Sequence, residues 1–153
     1  MKDHSPSTRP MRGRLAGLRR GLILLAIAAS TSCGRSDRIA VHPVEGSVRF
    51  GGEPAVGALV VFHPLDASED FQRLRPAGTV DADGRYVLST YEPQDGAPPG
   101  QYRVTVVWAG PGTGERPGPD RFGGKYANPN ASPLTAAVRE GGNHLEPFDL
   151  QAR

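Results

Sequence analysis

Apolar and polar residues alternate in short runs along most of the chain. Val44, Gly46, Val48 and Phe50 alternate with Glu45, Ser47 and Arg49, the period of a strand with one buried face. Gly51-Gly52 follows, a pair suited to the positive φ of a hairpin turn. Residues 58–63, Ala-Leu-Val-Val-Phe-His, are apolar on both faces and predict a central strand that Pro64 ends. Residues 65–76 form a charged loop. Residues 77–81 and 85–90 flank Asp81-Ala82-Asp83-Gly84, a strong hairpin signal. Residues 91–100 hold three prolines and two glycines and predict a loop.

The clearest strand is 101–108. Tyr102, Val104, Val106 and Trp108 face one way, and Gln101, Arg103 and Thr105 the other. Leu134, Ala136 and Val138 repeat the alternation against Thr135 and Arg139. Gly141-Gly142-Asn143 turns the chain. Residues 145–150 close it, with Phe148 and Leu150 on one face and Pro147 marking an edge or a bulge. The pattern predicts about seven short strands and no helix after residue 32. That is an all-β sandwich.

A different pattern precedes it. Residues 22–29 are apolar throughout, follow the basic pair Arg19-Arg20, and lead through Ser30, Thr31 and Ser32 to Cys33, the only cysteine. A basic segment, a short apolar core and small residues make a secretory signal. The apolar core would span about 13 Å as a helix, against a bilayer core of about 30 Å, too short for a transmembrane span.

Composition matters mainly through its division. The 153 residues carry a formal net charge of +2. Six of the 18 Lys and Arg lie before Cys33, against Asp3 alone of the 16 Asp and Glu. From Cys33 onward the net charge is −3, which removes nucleic acid as a partner. A single cysteine forms no internal disulfide, so the fold rests on its apolar core.

The leader resembles a bacterial lipoprotein signal, carried by Thr31, Ser32 and Cys33. In that family small and aliphatic residues precede a cysteine that is lipidated and becomes the mature N-terminus. Ser30 stands where the family usually has leucine. Ser30 and Ser32 also satisfy the small-x-small rule of ordinary signal peptidase, whose cut would release a soluble protein with a free thiol. Arg19-Arg20-Gly21-Leu22-Ile23 is also similar to a twin-arginine export signal. The expected organisation is a signal peptide over 1–32, a polar tether over 33–42 and a β-domain over 43–153.

The domain itself resembles a carboxypeptidase regulatory-like domain, the seven-stranded transthyretin-like sandwich. The residues that carry this are 43–50, Gly51-Gly52-Glu53-Pro54, Gly57-Ala58, Val60-Val61-Phe62, Asp81-Ala82-Asp83-Gly84-Arg85-Tyr86, and Pro98-Pro99-Gly100-Gln101-Tyr102-Arg103-Val104-Thr105-Val106. The likeness is to small bacterial lipoproteins built from this domain alone. It implies a membrane-anchored protein of the cell envelope, facing the periplasm or the exterior. Its expected role is binding, adhesion or scaffolding, with an envelope protein or polysaccharide as partner and the membrane reached through lipid at Cys33. Being turn and core residues, the shared positions speak for fold more than for function.

Motifs for chemistry are few. No Gly-x-Ser-x-Gly, His-Glu-x-x-His or phosphate-binding loop is present. His4, His42, His63 and His144 lack short metal-ligand spacings. Asp81-x-Asp83-Gly84 lacks the rest of a twelve-residue calcium loop and is read as a turn. Gly110-Pro111-Gly112-Thr113-Gly114 has no helix after it to hold a phosphate. No catalytic residue, cofactor or metal is therefore expected.

Two alternatives stay open. A hydrolase of the transthyretin-like kind would gather His42, His63 or His144 with Arg103, although its C-terminal Tyr-Arg-Gly-Ser is missing here. A carbohydrate-binding module would expose Trp108, Phe122 and Tyr126. The long segment 109–133 is the candidate binding loop, through Arg116, Arg121, Phe122, Lys125 and Tyr126. The plainer expectation is that Phe122 and Tyr126 pin this loop to the rim of the sandwich.

Overall fold

Alternation becomes structure first in β1, Val44–Phe50. The computed structural model describes residues 38–65, 68–113 and 116–152, so the leader, Cys33 and its lipidation lie outside the described residues. Val44 and Val48 turn inward from β1, while Glu45, Ser47 and Arg49 lie on the other face. Gly51 and Gly52, at φ +59° and +88°, reverse the chain into β2, Glu53–Pro54. Only glycine takes two consecutive positive φ values at low cost.

β3, Leu59–Pro64, is central as its two apolar faces predict, with β4 (Ala77–Thr79) on one side and β6 (Gly100–Val107) on the other. Strand β7, Thr135–Val138, completes this sheet beyond β6. The other sheet is built around β1. It holds β2, β5 (Arg85–Val87), β8 (Asn143–His144) and β9 (Phe148–Leu150). Both β8 and β9 pair with β1 in parallel. Val44, Val48, Val60, Phe62, Leu88, Val104 and Leu150 fill the space between the sheets at 2% exposure or less. The fold is a two-sheet, all-β sandwich.

The Asp81–Gly84 turn does more than join neighbours. Asp81 N–H donates to Arg85 O (2.8 Å), and Ala77 and Ser89 exchange both backbone bonds (3.0 and 2.8 Å), so the hairpin is closed at both ends. Between those points its arms part: Gly78 and Thr79 pair with β3, and Arg85–Val87 with β1. One hairpin thus serves both sheets and joins them along one edge. Gly78 permits the approach, because a Cβ there would lie 2.5 Å from Val87 O.

The structure differs from the expected count in two places. Nine strand segments are present among the described residues, not seven, because β2 and β8 are two-residue pieces of turns. The charged loop after β3 contains a single helical turn, α1 (Glu69–Gln72). Its cause is Phe71, which is 8% exposed and packs edge-on against Tyr102 with ring centroids 5.6 Å apart. Four residues are too few for helical periodicity to register. Among the described residues, no helix is long and apolar enough to cross a membrane.

Candidate functional site

The segment 109–133 is organised by one carboxylate. Asp120 Oδ1 accepts from Trp108 N–H (2.9 Å) and Phe122 N–H (3.3 Å), and Oδ2 accepts from Gly124 N–H (2.8 Å). Arg121 N–H donates to Trp108 O (2.8 Å), and Val106 N–H donates to Tyr126 O (3.1 Å). The loop is tied back to the end of β6 by these bonds.

Its rings then enter the core. Phe122 is 0% exposed, Tyr126 5% and Trp108 9%. Phe50, Trp108 and Phe122 are mutually in contact at centroid distances of 5.6–5.7 Å, and Tyr126 stands edge-on to Phe122. Trp108 Nε1–H donates to Val56 O (2.8 Å), which gives the indole a partner for its one polar atom. A sugar-stacking surface needs exposed coplanar rings. These rings are buried and tilted against one another, so Phe122 and Tyr126 pin the loop to the rim.

The basic members of the predicted loop site stay outside. The Arg121 guanidinium lies 3.7 Å above the Trp108 ring, and Lys125 Nζ lies 5.2 Å from the Tyr126 centroid. Arg116 is in a separate turn that its own N–H closes onto Thr113 O (3.3 Å). Arg121, Phe122, Lys125 and Tyr126 therefore share one end of the sandwich, with the cations at the surface and the rings inside.

A polar groove of about 340 Å³ lies on the outer face of the β1 sheet. Glu45, Ser47 and Arg49 project from alternate positions of β1 to line it, with Asp83, Arg85 and His144 around them. Glu45 Oε1 pairs with Arg85 Nη2 at 3.1 Å and also with His144 Nδ1. The groove thus carries Glu45 already paired with two bases, beside Arg49 and Asp83. The alternation of β1 marks these residues only as a solvent face. Their meeting depends on the parallel pairing of Glu45 with His144, which no local pattern encodes.

The described histidines, His42, His63 and His144, are spread over the two sides of the sandwich. His42, which precedes β1 and bridges to Ala97, accepts at Nδ1 from Gly141 N–H (3.0 Å), and His144 pairs with β1 through β8. His63 alone stands opposite Arg103, across the β3–β6 ladder. Its Nε2 is 2.9 Å from Thr105 Oγ1. Burial first, and the charge of Arg75 second, hold the His63 pKa below its ordinary value. Asp81 is used as a turn residue, with Oδ1 accepting from Asp83 N–H and Arg85 N–H at 2.9 Å each. Among the described residues no group of three or more His, Cys, Asp or Glu is placed to hold a metal ion. No family model, no curated protein and no solved structure matches the chain.

Proposed function

We propose that the chain is a lipid-anchored protein of a bacterial cell envelope. Its sandwich is then a seven-stranded, transthyretin-like domain of the carboxypeptidase regulatory-like kind. Its role is non-enzymatic: binding, adhesion or scaffolding on the periplasmic or outer side. One observation carries the reading. A basic segment and a short apolar run end at the only cysteine, and polar residues follow it. Ten residues separate Cys33 from Val44, where β1 begins. The later part of that stretch is bound to the domain, through Ile39 N–H to the Tyr91 hydroxyl (3.2 Å) and the His42–Ala97 backbone pair (2.9 Å each way), so the span left between Cys33 and Arg38 is about 18 Å at most if extended.

The architecture is compatible with the domain's proposed identity. Without the two-residue segments β2 and β8, seven strands remain in two sheets. A binding role draws support from the exposed cations on a loop pinned by buried rings and from the polar groove beside β1. A hydrolase draws less, because His144 lies on the sheet that does not carry Arg103, and His42 bonds to Ala97 and Gly141 just before that sheet begins.

Metabolic labelling with a fatty acid, in wild type and Cys33→Ser, tests the anchor. Label should appear in the wild type and vanish in the variant, which should move to the soluble fraction. A soluble, unlabelled wild type would overturn the proposal.

A further inference from the structure

The outer face of the β3–β6 sheet carries a row of bases with no acid among them. The antiparallel register sets His63 opposite Arg103, and Arg103 opposite Thr135 on β7. On the other side Val61 pairs with Ala77, and Phe62 N–H donates to Pro76 O (2.8 Å). The same register, one residue further, brings Arg75 beside His63. Arg75, His63, Arg103 and Thr135 therefore stand abreast, about 4.8 Å from strand to strand. Thr105 shares this face and reaches His63 Nε2 through its hydroxyl.

Like charges on neighbouring strands oppose each other. A carboxylate within the row would offset them, but among the described residues no ion pair joins Arg75 or Arg103. Glu69 and Asp70 of α1 pair with Arg73 instead. Arg75 is held by the neutral carbonyls of Gln72 and Leu74, and Arg103 by that of Ser132 (2.7 Å). Both positive charges are thus fixed in place without being neutralised. Arg103 also keeps Nε–H buried with no acceptor. Uncompensated cations held in place on one face are a feature that a bound anion resolves.

We propose that this row binds an oxyanion, a phosphate or carboxylate group seated over His63 between the two guanidinium groups. Arg103 and Arg75 supply charge and donors, and Thr105 and His63 complete the polar floor. The site belongs to the sandwich itself and does not depend on Cys33. The same group could be carried by a free solute or by a lipid headgroup, and the two sources are separable.

The test follows the His63 imidazole by NMR in the full chain, its signal assigned among the four histidines with His63→Gln. Inorganic phosphate and acetate are titrated against sodium chloride at equal ionic strength. Phosphate or acetate should move the His63 signal saturably and raise its pKa, because the anion offsets Arg75, while chloride should not. Arg75→Gln, at an exposed position, should weaken binding about fivefold to tenfold. Arg103→Gln should weaken it at least as much, and Arg103→Lys should restore charge but not full affinity. Arg38→Gln, an exposed arginine paired with Glu92, should leave it unchanged. Vesicles of phosphatidylglycerol, set against phosphatidylcholine, identify a headgroup if they alone act. Three results would each overturn the site: chloride reproducing the effect, Arg75→Gln binding as wild type does, or no response to phosphate, acetate or anionic vesicles.

Discussion

The Tyr86 ring lies across Gly46, its cross-strand partner, so closely that a Cβ on residue 46 would sit 2.6 Å from the phenol oxygen. The ring covers the bare backbone of β1 and is 1% exposed, yet its hydroxyl has no hydrogen-bond partner. Gly46→Ala should therefore destabilise the fold by about 1–3 kcal/mol through overpacking. Tyr86→Phe should stabilise it by about 1 kcal/mol, since it removes an unmatched buried polar atom. Tyr102 is the contrast, because its hydroxyl donates to Pro98 O at 2.6 Å. Tyr102→Phe should cost about 1 kcal/mol. Urea unfolding of the three variants separates these cases.

Burial raises the pKa of both tyrosines above the ordinary value of 10.0, with Tyr91 adding to the rise at Tyr102. The fold binds these protons more tightly than the unfolded chain does. Their contribution is complete below pH 10.0 and is lost as pH rises from there toward the folded-state values. Stability measured against pH should fall on the alkaline side of 10.0, and the double variant Tyr86→Phe/Tyr102→Phe should flatten that fall.

Asp95 governs the acid side. Burial alone would raise its pKa, but backbone N–H donors from Thr90, Glu92 and Tyr91 outweigh that and hold it below the ordinary value of 3.8. These bonds measure 2.6, 2.9 and 2.9 Å. The stabilisation is present above pH 3.8 and is lost as pH falls through the folded-state value. Asp95→Asn should be less stable at neutral pH and should unfold with a shallower dependence on acid, as followed by circular dichroism.

The loop over 109–133 should respond to its carboxylate and its pins rather than to its surface cations. Asp120→Ala leaves three N–H groups without their acceptor and should cost about 1–3 kcal/mol. The amides of Phe122 and Gly124 should lose hydrogen-exchange protection. Phe122→Ala should cost about 3–5 kcal/mol. Lys125→Ala should stay within about 0.5 kcal/mol of wild type. Arg121→Ala strips the cation from the Trp108 face and should shift the emission of that lone tryptophan.

Strands with local signatures are legible in the chain itself. The alternation over Val44–Phe50, the Gly51-Gly52 reversal and the inward set Tyr102, Val104 and Val106 all stand where their pattern places them. Proline and glycine mark their ends because each restricts or frees φ. What stays illegible is non-local. The parallel seating of β8 and β9 beside β1 brings residues about a hundred positions apart together, and nothing within a strand specifies it. The splayed arms of the Asp81 hairpin are hidden for the same reason. Of the candidate loop, the pinning role of Phe122 and Tyr126 is readable from aromatic residues among polar ones. Asp120, the residue that organises them, resembles any other loop aspartate until its three donors are seen. The bases Arg75, His63 and Arg103 lie far apart in sequence and meet only through strand register.

The parallel contact of β1 with β9 has a mechanical side. Val48 lies beside Phe148 and Phe50 beside Leu150, with both strands running the same way. The chain comes in at Val44 and leaves past Leu150, at the far end of the same strand, about 20 Å away. Tension between those two ends loads the ladder along its length. Its bonds share the force and must yield together, whereas a hairpin pulled from its open end loses them singly. The first and last strands of the sandwich thus make it resist extension along the direction of β1.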